Sequence, residues 1–250
     1  MKFESFEKEF LLTEKRTIKD REWKKIYDSV FDHYTIGNLF RAFLKADLQG
    51  LVHVISLGKE ANVFKALTRD GKKRAVKIYR VETSDFRRMY EYINGDPRFP
   101  RVSRNRRKLV EAWCQKEFRN LGIGKEAGVR CPKPYAFAGN VLVMQYIGNE
   151  TPAPLLKDTI IDNPEETLEE IVNDMKKLYS YGLVHSDLSE FNILYWRKKP
   201  WLIDFAQGVS LGHPRAREFL ERDARNIANY FSKLGINVTM DDILSKVYSD

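Results

Sequence analysis

The sequence predicts an α+β fold, in which a β-rich stretch is enclosed by helical ones. Three observations carry this. Apolar residues recur at helical spacing through residues 1–50, as Trp23, Ile26, Tyr27, Val30 and Phe31 and, beyond Gly37, as Leu39, Phe40 and Phe43. From Leu51 the pattern becomes strand-like, over residues 51–57, 61–67 and 73–80, with Asp70-Gly71 marking a turn. After residue 163 a capped helix and two further helical patterns, over 214–234 and 239–248, close the chain. A length of 250 residues suffices for one two-lobed domain or two small ones.

Composition narrows the function classes. No apolar segment opens the chain, and the run Val141-Leu142-Val143-Met144 is broken at once by Gln145, so neither secretion nor membrane spanning is expected. Cys114 and Cys131 are too few for a disulfide framework and lack metal-ligand spacing; a reducing cytoplasm is expected. The net charge of +8 is concentrated: residues 98–108 hold six basic side chains and no acid. Such a run is either a solvated loop or a patch for RNA or another polyanion.

Within the first two strands, Ser56-Leu57-Gly58-Lys59-Glu60-Ala61-Asn62-Val63 has the register of G-x-G-x-x-G-x-V, with Ser56 and Ala61 where glycines would stand. Backbone at Ser56, Gly58, Lys59 and Glu60 would approach phosphates, although only Gly58 keeps a glycine's freedom. On the next strand Val76 and Ile78 alternate with Lys77, which turns the Lys77 ammonium to the opposite face, as a phosphate contact. Such a lysine wants an acidic orienter. On the helical pattern over 108–122, Val110, Trp113, Glu117 and Leu121 share one stripe, and a carboxylate there is costly unless paired. Glu117 is therefore the expected partner, with Glu111 as the alternative. Residues 141–147 read as a buried strand ending at a hinge, Gly148, where main-chain groups of Gln145 and Ile147 would meet an adenine edge. Asn163-Pro164-Glu165-Glu166 starts a helix whose apolar face is Leu168, Ile171, Val172, Met175, Leu178 and Tyr179.

That helix leads into His185-Ser186-Asp187-Leu188-Ser189-Glu190-Phe191-Asn192, and Ile203-Asp204-Phe205-Ala206-Gln207 follows. An Asp two residues after a His, an Asn five further on and a second Asp behind apolar residues form a phosphoryl-transfer pattern. Transfer of a γ-phosphate needs an acceptor positioned in line and hard oxygen ligands for a divalent metal. Asp187 supplies the carboxylate beside the acceptor; Asn192 and Asp204 supply metal ligands. No Ser or Cys nucleophile accompanies His185, so its ring is expected to hold the loop by hydrogen bonding rather than to act as a base.

Together these residues resemble the RIO family of atypical protein kinases, and within it the first subfamily in its short, archaeal form, from about Leu51 onward; Thr151-Pro152-Ala153-Pro154-Leu155-Leu156-Lys157 adds to the match. The resemblance implies a trimmed two-lobed protein-kinase-like fold with an N-terminal helical extension. Its parts would be an extension over 1–50, an N-lobe over 51–147 and a mostly helical C-lobe over 148–250. It implies a serine/threonine protein kinase that uses ATP and Mg²⁺, with Mn²⁺ the alternative metal, and a role in small ribosomal subunit maturation. Asp187 becomes the catalytic aspartate, Asn192 and Asp204 the metal ligands, and Lys77 the phosphate-binding lysine with Glu117 beside it. ATPase chemistry through a phospho-aspartate on Asp204 is implied as a further activity. Ser186 stands where ordinary protein kinases have the Arg of H-R-D, and Ala206 where D-F-G has Gly, which implies a site assembled without activation-loop phosphorylation.

Residues 83–108, between the Lys77 strand and the Glu117 helix, are long for a connection. They are expected to lack regular structure, to be mobile, and to order on the pre-ribosomal small subunit or its rRNA through the basic 98–108 segment, with Ser103 as a site of self-phosphorylation. Two other functions compete: a small-molecule kinase of the aminoglycoside or choline type, and a nucleotide-locked scaffold that binds ribosome or RNA.

Overall fold

The computed structural model describes residues 31–82, 86–99 and 103–249; the helical pattern at Trp23, Ile26, Tyr27 and Val30 lies outside them, as does Arg101. The described elements begin with α1 (His33–Ala46), β1 (Leu48–Leu57), β2 (Ala61–Thr68), β3 (Lys73–Tyr79), α2 (Phe86–Asn94), α3 (Arg106–Glu126), β4 (Pro134–Ala138) and β5 (Val141–Gln145). They continue with α4 (Pro164–Ser180), β6 (Leu183–Val184), β7 (Ile193–Trp196), β8 (Lys199–Leu202), β9 (Val209–Ser210), α5 (Ala216–Lys233) and α6 (Met240–Tyr248). The chain divides into two compact units.

Among the described residues, one unit holds 31–82, 105–115 and 134–146. Its centre is a five-stranded antiparallel sheet in the order β1-β2-β3-β5-β4, with α1 packed on β1, β4 and β5. The two-residue period of β2 and β3 sends Phe64, Ala66, Val76 and Ile78 into one core with Ile36, Leu39 and Phe43 of α1. Lys77 falls between Val76 and Ile78 and so takes the other face. Asp32 caps α1, its carboxylate accepting the Thr35 N–H at 2.7 Å, and Asp47 ends it in the left-handed region at φ 50°. Asn140 stitches this unit: its amide donates to the Tyr79 carbonyl at 2.8 Å and the Thr35 hydroxyl at 3.1 Å, and its Oδ1 accepts from Asn38 at 2.8 Å. The preceding Gly139 has φ 54°, and a Cβ there would stand 2.2 Å from Asn38 Nδ2.

The other unit holds, of the described residues, 86–99, 103–104, 116–133 and 147–249. Asn163 caps α4, accepting the Glu166 N–H at 3.2 Å, with Pro164 and two glutamates in the first turn, and Gly182 follows its end at φ 77°. Leu168, Ile171, Val172, Met175 and Leu178 form its buried face. Two short antiparallel pairs, β6 with β9 and β7 with β8, bracket the loops described below. A capping box between Thr239 and Asp242 starts α6.

Two expectations about residues 83–108 need correction. Part of the segment is helical: α2 buries Met89, Tyr92 and Ile93, which recur at i, i+3 and i+4, and the Tyr92 ring stacks on Phe219 at 4.9 Å. Arg98 also leaves the basic run. It turns inward to Asp96, 2.6 Å away, and to Asn120 Oδ1 at 2.9 Å. A third expectation was incomplete, because α3 has two buried stripes. Val110, Trp113, Glu117 and Leu121 are buried, and so are Lys116 and Asn120.

Candidate active site

The phosphate-loop and lysine candidates lie in the sheet unit. The β1–β2 connection closes at residues 58–61, with Ser56 opposite Val63 in the strand register and the Gly58 N–H donating to the Ala61 carbonyl at 3.0 Å. A Cβ on Gly58 would meet that carbonyl oxygen at 2.8 Å, so this position demands glycine for space. Ser56, Gly58 and Lys59 are exposed, while Glu60 is tied down through its carbonyl, which accepts the Arg80 N–H at 2.8 Å. Lys77 is 7% exposed, with its ammonium 5.0 Å from the centre of the Tyr79 ring. Gln145 stands opposite Arg74 at the end of β5.

Ile147 and Glu117 belong to the other unit. The Ile147 carbonyl accepts the Ala153 N–H at 3.0 Å. Gly148, at φ 139°, bends the chain here; a Cβ would lie 2.4 Å from the Thr151 carbonyl oxygen. Glu117 is fully buried.

The same unit brings Asp187, Asn192, Asp204 and Gln207 into one site. Asn192 Nδ2 donates to the Asp187 carbonyl at 2.7 Å and to Asp187 Oδ2 at 3.0 Å. Gln207 Nε2 donates to the same Oδ2 at 2.9 Å, and Gln207 Oε1 accepts from Arg88 at 3.0 Å. Arg88 in turn stands 3.6 Å from Asp187 Oδ1. Burial first, and then the neighbouring Asp204 carboxylate, lift Asp187 above the usual carboxylate range, against the pull of Arg88 and Arg222. A carboxylate so placed is a better proton acceptor than a solvated one.

The backbone of the candidate site is bent unusually. Ser186 has φ 67° and Asp204 φ 62°, both left-handed without being glycine. The Ser186 bend is held by Asp223 of α5, whose carboxylate accepts the N–H groups of Ser186 at 2.7 Å and Leu188 at 2.8 Å. Burial pushes the Asp223 carboxyl up to about 8, against those two donors, which favour its charged form. His185 Nε2 pairs with the Ile203 carbonyl at 3.0 Å and its ring packs edge-on to Phe205 at 4.7 Å. That is a loop-holding geometry, as the sequence led us to expect.

The donor set fits a divalent cation held against phosphates. Asn192 spends its amide hydrogens on Asp187, which leaves Oδ1 as the atom for a metal, and Asp204 offers a carboxylate. Among the described residues no group of three or more His, Cys, Asp or Glu gathers.

Reading from sequence missed Gln207, Arg88, Asp223, Lys116 and Asn120. Two signals were available. Asp223 lies among Phe219, Leu220, Ala224 and Ile227, a carboxylate in a buried stripe like Glu117. Lys116 and Asn120 are four residues apart on one helical face.

The RIO domain family model matches residues 62–243. The chain belongs to the RIO family of serine/threonine protein kinases. It is 41% identical to the RIO-type serine/threonine-protein kinase Rio1 of Haloferax volcanii over 234 residues, covering 93% of this chain and 81% of that one. With Rio1 of Methanocaldococcus jannaschii it shares 42% identity over 241 residues, 95% of this chain and 81% of the relative. This RIO kinase therefore falls in the RIO1 subfamily. In fold it resembles the Rio2 kinase of Chaetomium thermophilum solved as an ADP/Mg²⁺-phosphoaspartate complex. The TM-score is 0.67 at 22% identity, over 87% of this chain and 67% of that one. No helix among the described residues is long and apolar enough to cross a membrane.

Proposed function

We propose that this RIO kinase transfers the γ-phosphate of ATP, with Mg²⁺ or Mn²⁺, to serine or threonine, and that it acts in maturation of the small ribosomal subunit in the cytoplasm. The observation that carries the reading is Asp187: its Oδ2 is pinned by Asn192 and Gln207, so the carboxylate is oriented beside Asp204. A divalent ion bound with the nucleotide would neutralise charge on the β- and γ-phosphates. The chain's own residues do the rest. Asn192 Oδ1 and the Asp204 carboxylate hold that ion, and Asp187 accepts the hydroxyl proton of the acceptor. Lys77 is the residue assigned to phosphate, with Glu117 its proposed acidic partner; backbone of Ser56, Gly58, Lys59 and Glu60 is assigned to the phosphates as well, and main-chain groups of Gln145 and Ile147 to the adenine edge. If Asp204 also takes the phosphoryl group, as in the phospho-aspartate of the Rio2 complex, the same site works as an ATPase.

Family membership favours this over a small-molecule kinase. The oriented Asp187 favours it over a scaffold that only locks onto nucleotide. The basic segment supports a polyanionic partner, pre-ribosomal RNA being the one we propose. Arg104, Arg106, Arg107 and Lys108 are exposed, and α3 begins with three cations and no acid in its first turn. Cations at a helix N-terminus are unfavourable by roughly 0.3–1 kcal/mol each unless an anion is near. Ser103 is exposed beside them and is the proposed self-phosphorylation site.

The test separates the two aspartates. Asp204→Ala should lose metal-dependent nucleotide binding and at least ~10²-fold in turnover while remaining folded. Asp187→Ala should bind nucleotide nearly as the parent does yet lose ~10²-fold or more in transfer. Unchanged turnover in Asp204→Ala rejects the site. Neutralising Arg104, Arg106, Arg107 and Lys108 should weaken RNA binding and flatten its salt dependence, with ATP affinity unaltered.

A further inference from the structure

Behind the Asp204 turn lies a buried polar group that the proposed chemistry does not use. Lys116 and Asn120 stand one helical turn apart on α3, and both are fully buried. Their donors converge on the backbone immediately after Asp204. Asn120 Nδ2 donates to the carbonyls of Phe205 and Gly208, each at 2.8 Å. The Lys116 ammonium donates to the Ala206 carbonyl at 3.0 Å and also to the Gly208 carbonyl. Three of the four carbonyls from Phe205 to Gly208 are thus held by two side chains of one helix.

The arrangement is not what core filling requires. Burying an ammonium is expensive, and an apolar side chain of similar volume in its place is often neutral or stabilising. Here an amine is kept although burial lowers it to about 7, and its hydrogen bonds go to peptide carbonyls of one turn. Asp96, itself buried, offsets the charge, and Arg98 ties Asp96 to Asn120 Oδ1, which fixes the Asn120 amide with its NH₂ toward the turn. Space is closed as well: a Cβ on Gly208 would come within 2.9 Å of Asn120 Nδ2.

Two features of the turn need such a clamp. Asp204 is left-handed at φ 62° and ψ 63°, a conformation that for a non-glycine residue persists only where surroundings enforce it. Gln207, three residues on, must aim its amide at Asp187 Oδ2. We propose that Lys116 and Asn120 are positioning residues of the metal site: by holding the carbonyls of residues 205–208 they set the direction of the Asp204 carboxylate and of the Gln207 amide. This rests on the reading of Asp204 as a metal ligand.

The test measures nucleotide binding with and without Mg²⁺, using ADP, in Lys116→Met and Asn120→Ala beside the parent protein and Asp204→Ala. In Lys116→Met we expect metal-free ADP affinity within about 2-fold of the parent and a ~10-fold higher Mg²⁺ concentration for half-maximal tightening. Turnover should be largely recovered at saturating Mg²⁺, because a misdirected ligand weakens the ion without removing it. Hydrogen exchange of the peptide spanning residues 203–210 should quicken in the same variant. Asn120→Ala should show the same split, more weakly, and stands in if Lys116→Met does not fold. A Mg²⁺ dependence within 2-fold of the parent in both variants would make the two residues mere core packing and overturn the proposal, even where Asp204→Ala behaves as expected. A parent protein without Mg²⁺-dependent ADP binding would overturn the reading of Asp204 and this inference with it.

Discussion

The sheet unit and the unit carrying Asp187 solve the same problem, presenting polar groups from an apolar interior, in opposite ways. In the sheet unit, regular backbone does the work: Lys77 is aimed because Val76 and Ile78 on either side face the core. In the other unit the candidate groups sit on irregular backbone, with Ser186 and Asp204 in left-handed conformations. There the aiming comes from buried side chains on α3 and α5, which bracket the loops through their peptide groups. A strand therefore tolerates many sequences as long as the period holds, whereas a bracketed loop depends on single distant residues.

This contrast can be broken most severely at Asp223. Asp223→Ala would leave the N–H groups of Ser186 and Leu188 without their acceptor in a buried site, at about 1–3 kcal/mol each, and would release the loop that carries Asp187. We expect a lower melting temperature together with a turnover loss of ~10²-fold or more, measured in the same preparation. A loss of stability with turnover per folded molecule unchanged would mean that Asp223 merely packs.

The sheet unit should respond differently. Gly139→Ala places a Cβ against Asn38 at a left-handed residue and should destabilise by roughly 1–3 kcal/mol, read by denaturant titration. Turnover of the molecules that remain folded should be unaffected. A turnover defect in this variant as large as in Asp223→Ala would erase the distinction between the two regions.

The smallest effect is expected at the β7–β8 turn, where Arg197 and Lys198 adopt φ 53° and φ 60°. Two successive left-handed residues are what Asn-Gly accommodates best. Replacing Arg197→Asn and Lys198→Gly together should raise the melting temperature by about 2 °C and leave turnover unchanged, although the Lys198–Asp162 ion pair at the surface is lost. A lower melting temperature would show that this ion pair, and not the backbone, decides the turn.

How far all this was legible depends on range. Periods of two and 3.6 residues, the Asn163-Pro164 helix start and the spacing of Asp187, Asn192 and Asp204 are local, so β2, β3, α4 and the family resemblance could be read directly from the chain. Helix α2 could not: only Met89, Tyr92 and Ile93 mark its apolar face, and the ring that Tyr92 stacks on, Phe219, comes from distant α5. Nor could the inward turn of Arg98, since charge in a run says nothing about which guanidinium finds a buried carboxylate. The bracketing of the Asp204 turn joins residues 90 positions apart, Lys116 and Ala206, and that of Ser186 joins residues 37 apart. The sequence by itself determined which residue types the chemistry could draw on, because those follow from local spacing. Tertiary structure alone decided which buried donors and acceptors meet, because a peptide group left unsatisfied in the interior costs enough to select its partner from anywhere along the chain.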